Sequence, residues 1–572
     1  MVVYAIKISM YLRSTKRRNQ DGTEVEYFQL AHNVRNPRTG KPLAQIIHNF
    51  GRADQVDRDS LVRLCRSIAR VCGVAIQDIE TAAGEAAKSQ TQASLPGDVK
   101  LLRTLELGPV LALETLWERL GIAAALQKII KQHGYRVDYE RALFAMTANR
   151  LCEPESKLGV WDRWLSKVYL PSCQDLKLDQ MYEAMDMLQA HSTAVEEAVF
   201  FRTAHLFNLE VDLIFYDTTT AGFAIDEEDD DQGLRRFGRP KNGAWSPQVV
   251  IALAVTRDGL PVRSWVFPGQ TADASTVAQI KADLRDWNLG RALFVADAGM
   301  NSQQNRQELA KACGTYLLAT RLGSQAEVKE EVLARPGRFK VIAENLQAKE
   351  VIVGDGERRR RYIVCYNPLE AKRQQLHREQ VLRELEAELA KHPDLKATAR
   401  WAIDLLASGR YRRYLKIEAG TNRLAINRQA AREAARTDGK WVLITNDDTI
   451  SLEDAASGYK GLLIIERCFR TLKSTQIKLT PMYHWLPPRI EAHIKICVLA
   501  LLLARAAERQ CQLPWNRIRD DLGTLQVTEF QTPSFLFFQC HEPTENLLST
   551  LKSLEISMSK PVLSITPTTT NA

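Results

Sequence analysis

The chain lacks the short signatures that mark the commonest enzyme classes. It has no Walker A loop, no HExxH pair, no GxSxG elbow and no Rossmann glycine fingerprint, so P-loop, zincin, serine-hydrolase and dinucleotide chemistries are set aside. Its 10 cysteines are scattered without a CxxC pair or metal-ligand spacing, and read as reduced, mostly structural thiols. Long apolar runs are missing as well. The longest near the C-terminus, Ile496 to Ala504, falls far short of the roughly 20 residues that a spanning helix needs. Lys7 interrupts the opening MVVYAIKISM before a secretory apolar core forms, which leaves a cytoplasmic location, with no membrane partner, as the expectation. No internal repeat is evident.

What the chain does have is ordinary globular composition over 572 residues, with 45% hydrophobic and 26% charged residues, enough for three or four units with buried cores. The net charge of +8 is mild, but its distribution is uneven. Residues 1 to 72 hold 13 Lys and Arg against 6 Asp and Glu, a surplus of 7 that fits either a nucleic-acid footprint or a solvated basic face.

Short alternating runs, YAIKISMYL, EVEYFQLAH and LAQIIHNF, separated by NQDGT and NPRTGK, predict a three-stranded meander. A helical period follows from Asp59 to Val74, then a small, polar stretch from Ala82 to Pro96 with the composition of a linker. The first unit is therefore expected over 1–95, a helical region over 96–209, the first part of a core over 210–325, an insertion over 326–439, the second part of the core over 440–520 and a C-terminal tail over 521–572. Within the core, VDLIFYD, PQVVIALAVT and VRSWVFPG read as consecutive strands, ASTVAQIKADLRDW as a helix and ALFVADAG as a further strand. That is the opening order of a ribonuclease-H-like fold. Helical spacing over 101–209 admits a helix-turn-helix or any other bundle.

Three acidic residues draw attention. Asp217 is expected at the end of the strand LIFYD, and Asp297 ends LFVAD; either alone reads as a turn residue. Two strands of one sheet that both end in Asp bring carboxylates together, an arrangement that costs repulsion unless a cation lies between them. Glu466 lies in YKGLLIIERCFRTLKS, where Tyr459, Glu466 and Lys473 recur every seven residues, so on a continuous helix they share one face, with Arg470 near it. The bland alternative is a salt-bridged surface stripe, against which stand the interleaved Leu462, Leu463, Ile464, Ile465, Phe469 and Leu472.

YDTT around Asp217, VADAGM around Asp297, FPGQTAD and the Tyr459, Glu466, Lys473 spacing together resemble the DDE transposases of bacterial insertion sequences, in the subgroup with a Y-x2-R-x3-E-x6-K signature. The resemblance implies an α+β and α/β multidomain chain: a ribonuclease-H-like catalytic core with a β-rich insertion before the catalytic Glu, preceded by a small β meander and a helical region. It implies that Asp217, Asp297 and Glu466 are catalytic and hold two Mg²⁺ ions, with Mn²⁺ as a substitute, while Tyr459 and Lys473 contact DNA. The partners it implies are double-stranded DNA, as terminal inverted repeats and as target, and a second copy of the chain. The signature arginine falls on Leu462, and Arg470 is the expected replacement.

The function expected is metal-dependent cleavage and strand transfer of an insertion sequence. Two alternatives stand beside it: a nuclease on the same fold without strand transfer, and a silent element-derived DNA-binding protein. Other features carry weaker expectations. The acidic run Glu227 to Asp231 reads as solvated, Arg358 to Arg361 as a solvated edge or a DNA-backbone contact, His484 and His493 as structural or phosphate-contacting, and Trp441 as a core residue or a base-stacking one.

Overall fold

The computed structural model describes residues 10–18, 24–35, 42–52, 99–230, 233–238, 245–322, 326–391, 400–418, 420–557 and 560–567. The chain divides into two compact units, Met1–Gly97 and Asp98–Ala572. In the first, β1 (Met10–Arg18), β2 (Glu24–Arg35) and β3 (Pro42–Arg52) form an antiparallel meander in the order β1-β2-β3. The helix expected from Asp59 to Val74 and the linker from Ala82 to Pro96 lie outside the described residues.

The second unit opens with β4 (Lys100–Glu106) and five helices: α1 (Gly108–Arg119), α2 (Ile122–Gln132), α3 (Tyr139–Cys152), α4 (Leu178–Ala190) and α5 (Ser192–Leu206). Asp138 starts α3 by accepting the Glu140 N–H at 3.1 Å, and Ala142 to Leu151 are all buried. A helix buried on every side has no face to offer a DNA groove.

A ten-stranded sheet follows among the described residues. Its strands are β5 (Leu213–Gly222), β6 (Arg236–Gly238), β7 (Ser246–Thr256), β8 (Pro261–Pro268), β9 (Leu293–Ala296), β10 (Tyr316–Thr320), β11 (Lys340–Ala343), β12 (Leu346–Val353), β13 (Arg360–Tyr366) and, beyond the two-stranded ribbon of β14 (Leu415–Ile417) and β15 (Leu424–Ile426), β16 (Lys440–Thr445). The order is β11-β12-β13-β16-β10-β9-β5-β7-β6, with β8 also on β7. β9 is parallel to both β5 and β10, and β7 is antiparallel to β5. Alternation along β5 sends Leu213 and Phe215 into one core and Ile214 and Tyr216 into another, one on each face of the sheet. Helix α6 (Asp273–Asp286) covers the second face with Val277, Ile280 and Leu284.

After the short α7 (Gln303–Ala310), three helices accompany the ribbon: α8 (Pro368–Lys391), α9 (Arg400–Ala407) and α10 (Arg428–Arg436). The first two and the ribbon enclose a small core of their own built on Val381, Leu385, Leu405 and Leu415. The stretch expected as an inserted domain thus has two parts, because β13 pairs with β16 and β11–β13 continue the main sheet. Val442, Leu443 and Ile444 of β16 are buried, as a strand flanked on both edges requires.

The first face of the sheet is covered by α11 (Leu452–Lys460), α12 (Leu462–Arg470) and a π turn over Thr471–Thr475. Next comes α13 (Pro487–Cys511), whose two prolines occupy the first turn, where no N–H is needed. This apolar helix packs on α3 and α4, so the helical region shares one core with it instead of standing apart. The segment from 521 onward is not a tail. After α14 (Trp515–Leu522), β17 (Gln526–Gln531), β18 (Phe535–Cys540) and, past α15 (Glu545–Ser553), β19 (Val562–Pro567) form a four-stranded sheet in the order β19-β18-β17-β4. The partner that β17 needs is β4, more than four hundred residues away: Thr104 and Thr528 hydroxyls meet at 3.1 Å, and Arg103 bonds Glu529 at 2.5 Å. Phe530 stacks on Phe537 with ring centroids 5.3 Å apart.

Candidate active site

Asp217 lies inside a strand, not at its end. β5 runs on through Thr218, Thr219 and Thr220 to Gly222, because these β-branched residues stay paired with β7; Asp217 itself is opposite Leu253. On its other side, however, β9 stops at Ala296. The parallel register pairs Leu213 with Leu293 and Phe215 with Val295, so two further steps bring Asp217 beside Asp297, on chains that neighbour at about 4.8 Å. Asp217 Oδ1 accepts the Thr218 N–H at 2.7 Å, and the Thr218 hydroxyl donates to Asp273 Oδ1 at 2.5 Å.

Glu466 comes from the helices above. Phe215 faces them, and so by alternation does Asp217. The helix expected to carry Tyr459, Glu466 and Lys473 on one face is divided. Gly461 joins α11 to α12 through tight bonds, its N–H to the Gly458 carbonyl at 3.0 Å and the Ile464 N–H to its own carbonyl at 2.8 Å. Tyr459 nevertheless reaches the strand ends, and its hydroxyl donates to Asp297 Oδ1 at 3.2 Å. Burial, reinforced by the Asp297 charge, raises the phenol pKa well above its ordinary value, so Tyr459 stays a donor.

Asp217, Asp297, Glu466 and Tyr459 line one pocket of about 260 Å³, together with Lys460, Trp441, Leu462, Leu463 and Ile465. Arg470 and Lys473 do not line it. Arg470 is exposed at the end of α12, and Lys473 sits in the π turn, where the 3.6-residue period no longer holds. The cation that does line it is Lys460, whose only sequence signal is that it follows Tyr459 directly. Leu462, at the signature arginine's position, is 9% exposed and belongs to the core. Trp441 faces the pocket from β16, and its indole N–H is buried without a hydrogen-bond partner. Among the described residues no group of three or more His, Cys, Asp and Glu side chains is already closed into a metal-binding cluster. The three carboxylates share the pocket without converging further.

The other singled-out residues have structural duties. In the acidic run, Asp229 pairs with Arg235 at 2.7 Å and Glu228 with Arg236 at 3.6 Å, while Asp231 lies outside the described residues. Arg359 bonds Asp448 at 2.7 Å, Arg360 bonds Glu327, and Arg361 bonds Glu350 at 2.7 Å, so these three are committed to carboxylates. His493 Nδ1 faces Lys157 Nζ at 3.2 Å in the core, with the His484 ring 5.2 Å away; burial pushes His484 down to about 3. The eight described cysteines are free thiols, and no helix among the described residues is long and apolar enough to cross a membrane.

Residues 12–79 match the IS1634 family transposase N-terminal domain, and residues 223–503 match the transposase DDE domain. Asp297 and Glu466 fall inside the second match, and Asp217 just before its start. No curated protein matches the chain. Among solved structures it is similar to a piggyBac transposase synaptic complex with hairpin DNA, determined by cryo-EM, at 10% identity and a TM-score of 0.34, over 73% of this chain and 79% of that one.

Proposed function

The chain belongs to the DDE transposases of insertion sequences, and from that membership we propose that Asp217, Asp297 and Glu466 are its catalytic, metal-holding carboxylates, mounted on a ribonuclease-H-like core. One observation carries the assignment: three acids from distant parts of the chain line a single pocket. The strand order β8-β7-β5-β9-β10, with β9 and β10 running parallel to β5, supports the fold, and β11–β13 with α8–α10 form the insertion before Glu466.

The donors fit the metal. They are carboxylate oxygens alone, which suits Mg²⁺, or Mn²⁺ in its place, because such ions keep positions for water and phosphate oxygens. When bound, two such ions activate the attacking oxygen and stabilise the leaving one in an in-line displacement at phosphorus. The chain's own residues do the rest. Thr218 holds one oxygen of Asp217 and Tyr459 one of Asp297, so both carboxylates are oriented before DNA arrives. Lys460 offers positive charge to the phosphate inside the pocket, while Arg470 and Lys473 follow along the DNA from the exposed end of the same helical run. Leu462, Leu463 and Ile465 line the pocket as its apolar side. The attacking groups are water and then a DNA 3′-hydroxyl, so no protein nucleophile is required.

The DNA partners of this reading are the terminal inverted repeats and the target duplex, handled in the cytoplasm by a homodimer that pairs two ends. The test is a gel assay of the purified chain with Mg²⁺ on labelled DNA carrying the repeats that flank its gene, beside Asp217→Asn and Glu466→Gln. Cleaved and joined products that disappear in both variants support the assignment. Cleavage without joining makes the chain a nuclease, and products that persist in either variant remove that carboxylate from the reaction.

A further inference from the structure

Later in the sequence comes a second concentration of positive charge. Residues 401–440 hold 9 Lys and Arg against 4 Asp and Glu. Three of those cations line a groove of about 1110 Å³ bordered by the turn Val328–Val332, the short turn Arg412–Tyr414 and α10. Its cations are Lys329, Arg413, Arg436 and Lys440, against two carboxylates, Glu330 and Glu433. Lys329, Arg413 and Arg436 are exposed, and none of them makes an ion pair among the described residues. That sets them apart from Arg378, Arg410 and Arg428 of the same region, which pair with Asp438, Glu384 and Glu386. Arg413 stacks over the Tyr414 ring at 5.8 Å, and the Lys440 ammonium donates to the Arg436 carbonyl at 2.9 Å. Arg412 and Arg432, also exposed, extend the basic surface beyond the rim.

The sheet fixes how this groove relates to the carboxylates. β10 is parallel to β9, so both end at the same edge, and β16 is antiparallel to β10, so it begins there. Its first two residues point to opposite faces: Trp441 into the carboxylate pocket and Lys440 into the groove. From β5 to β16 is three strand spacings, about 14 Å, or roughly four base pairs of duplex rise. A duplex lying across this edge meets the carboxylates on one side of the sheet and the basic groove on the other.

We propose that the groove formed by Lys329, Arg413, Arg436 and Lys440 docks the sugar-phosphate backbone of the DNA duplex whose reacting bond lies at the carboxylates, a few base pairs away from that bond. The inference rests on the transposase reading of the site. Its lining offers cations that meet backbone phosphates, so it holds the duplex in position.

The experiment measures binding of the full chain by fluorescence anisotropy over a series of salt concentrations. One duplex ends about two base pairs past the reacting bond and another extends about ten, each direction being taken in turn. The variants are Lys329→Ala/Arg413→Ala/Arg436→Ala and the charge-keeping Arg413→Lys/Arg436→Lys, both checked for an unchanged melting temperature. On the long duplex in one direction, the triple variant is expected to lower the slope of log K against log salt by about three, one for each phosphate that no longer meets a cation. It leaves the slope on the short duplex, and Mg²⁺-dependent cleavage of that duplex, unchanged, and the lysine variant keeps the unmodified slope. Equal slopes for the triple variant and the unmodified chain on long duplexes in both directions overturn the groove. Absence of cleavage by the unmodified chain counts against the catalytic reading alone, because the slopes still decide on the groove.

Discussion

A Cβ added to Gly461 would lie 2.1 Å from Cζ of Phe215, so the junction between α11 and α12 rests directly on the strand residue two places before Asp217. This contact sets how far Glu466 stands from the two aspartates. Gly461→Ala is expected to push the helix off the sheet, at a cost of about 1–3 kcal/mol. Cleavage should fall further than stability does. Urea unfolding beside the cleavage assay checks it, and a variant with unchanged activity would show that the helix height is not critical.

Tyr459→Phe removes the donor to Asp297 and leaves the ring's packing. A drop in cleavage of about tenfold, with little change in melting temperature, is the expected result. The pH dependence follows from the raised phenol pKa. Below the unfolded value of about 10 both states keep the proton, and above it only the folded state does, so this group's contribution to stability is lost as pH rises beyond about 10. Difference melting curves of the two proteins between about pH 9 and about pH 11 test the sign.

Leu462→Arg restores the signature arginine into a wall of the pocket. Burying part of a guanidinium at a position that is 9% exposed costs stability, about 1–3 kcal/mol, but adds a cation beside the carboxylates. Tighter binding of short DNA at low salt, with a steeper salt dependence, is expected from anisotropy titration. Unchanged affinity would mean that the new side chain turns away from the pocket.

Lys157 is buried against His493, and burial together with the Arg150 charge pushes its ammonium down to about 7. The unfolded chain holds that proton to about 10.4, so between these values the unfolded state binds more protons and the contribution of this group to stability rises with pH. Lys157→Met lacks that slope. The melting-temperature difference between the unmodified chain and the variant should therefore move in favour of the unmodified chain from about pH 7 to about pH 10. A constant difference across that range would show a lysine that stays charged when folded.

Much of the core was legible from periodicity. PQVVIALAVT, VRSWVFPG and ASTVAQIKADLRDW become β7, β8 and α6 within a residue or two, because strands buried on both faces and an amphipathic helix announce themselves locally. Partners distant in sequence were not legible. Arg359, Arg360 and Arg361 look like an exposed basic cluster until Asp448, Glu327 and Glu350 are folded against them. The final strands look like a tail until β4 supplies their edge. The helix-face argument for Tyr459, Glu466 and Lys473 assumes an unbroken 3.6-residue period, and both Gly461 and the π turn interrupt it.

By itself the sequence determined the candidates: two aspartates behind apolar strands and a glutamate in an apolar helix are local facts that survive any arrangement of the rest. Tertiary structure alone decided which neighbours complete them. The end of β9 sets Asp297 beside Asp217, the contact of Gly461 with Phe215 sets the height of Glu466, and the cation that lines the pocket is Lys460, not Arg470. The physical reason is that charge and hydrogen bonding act over a few ångströms in space, and chain distance does not encode that separation.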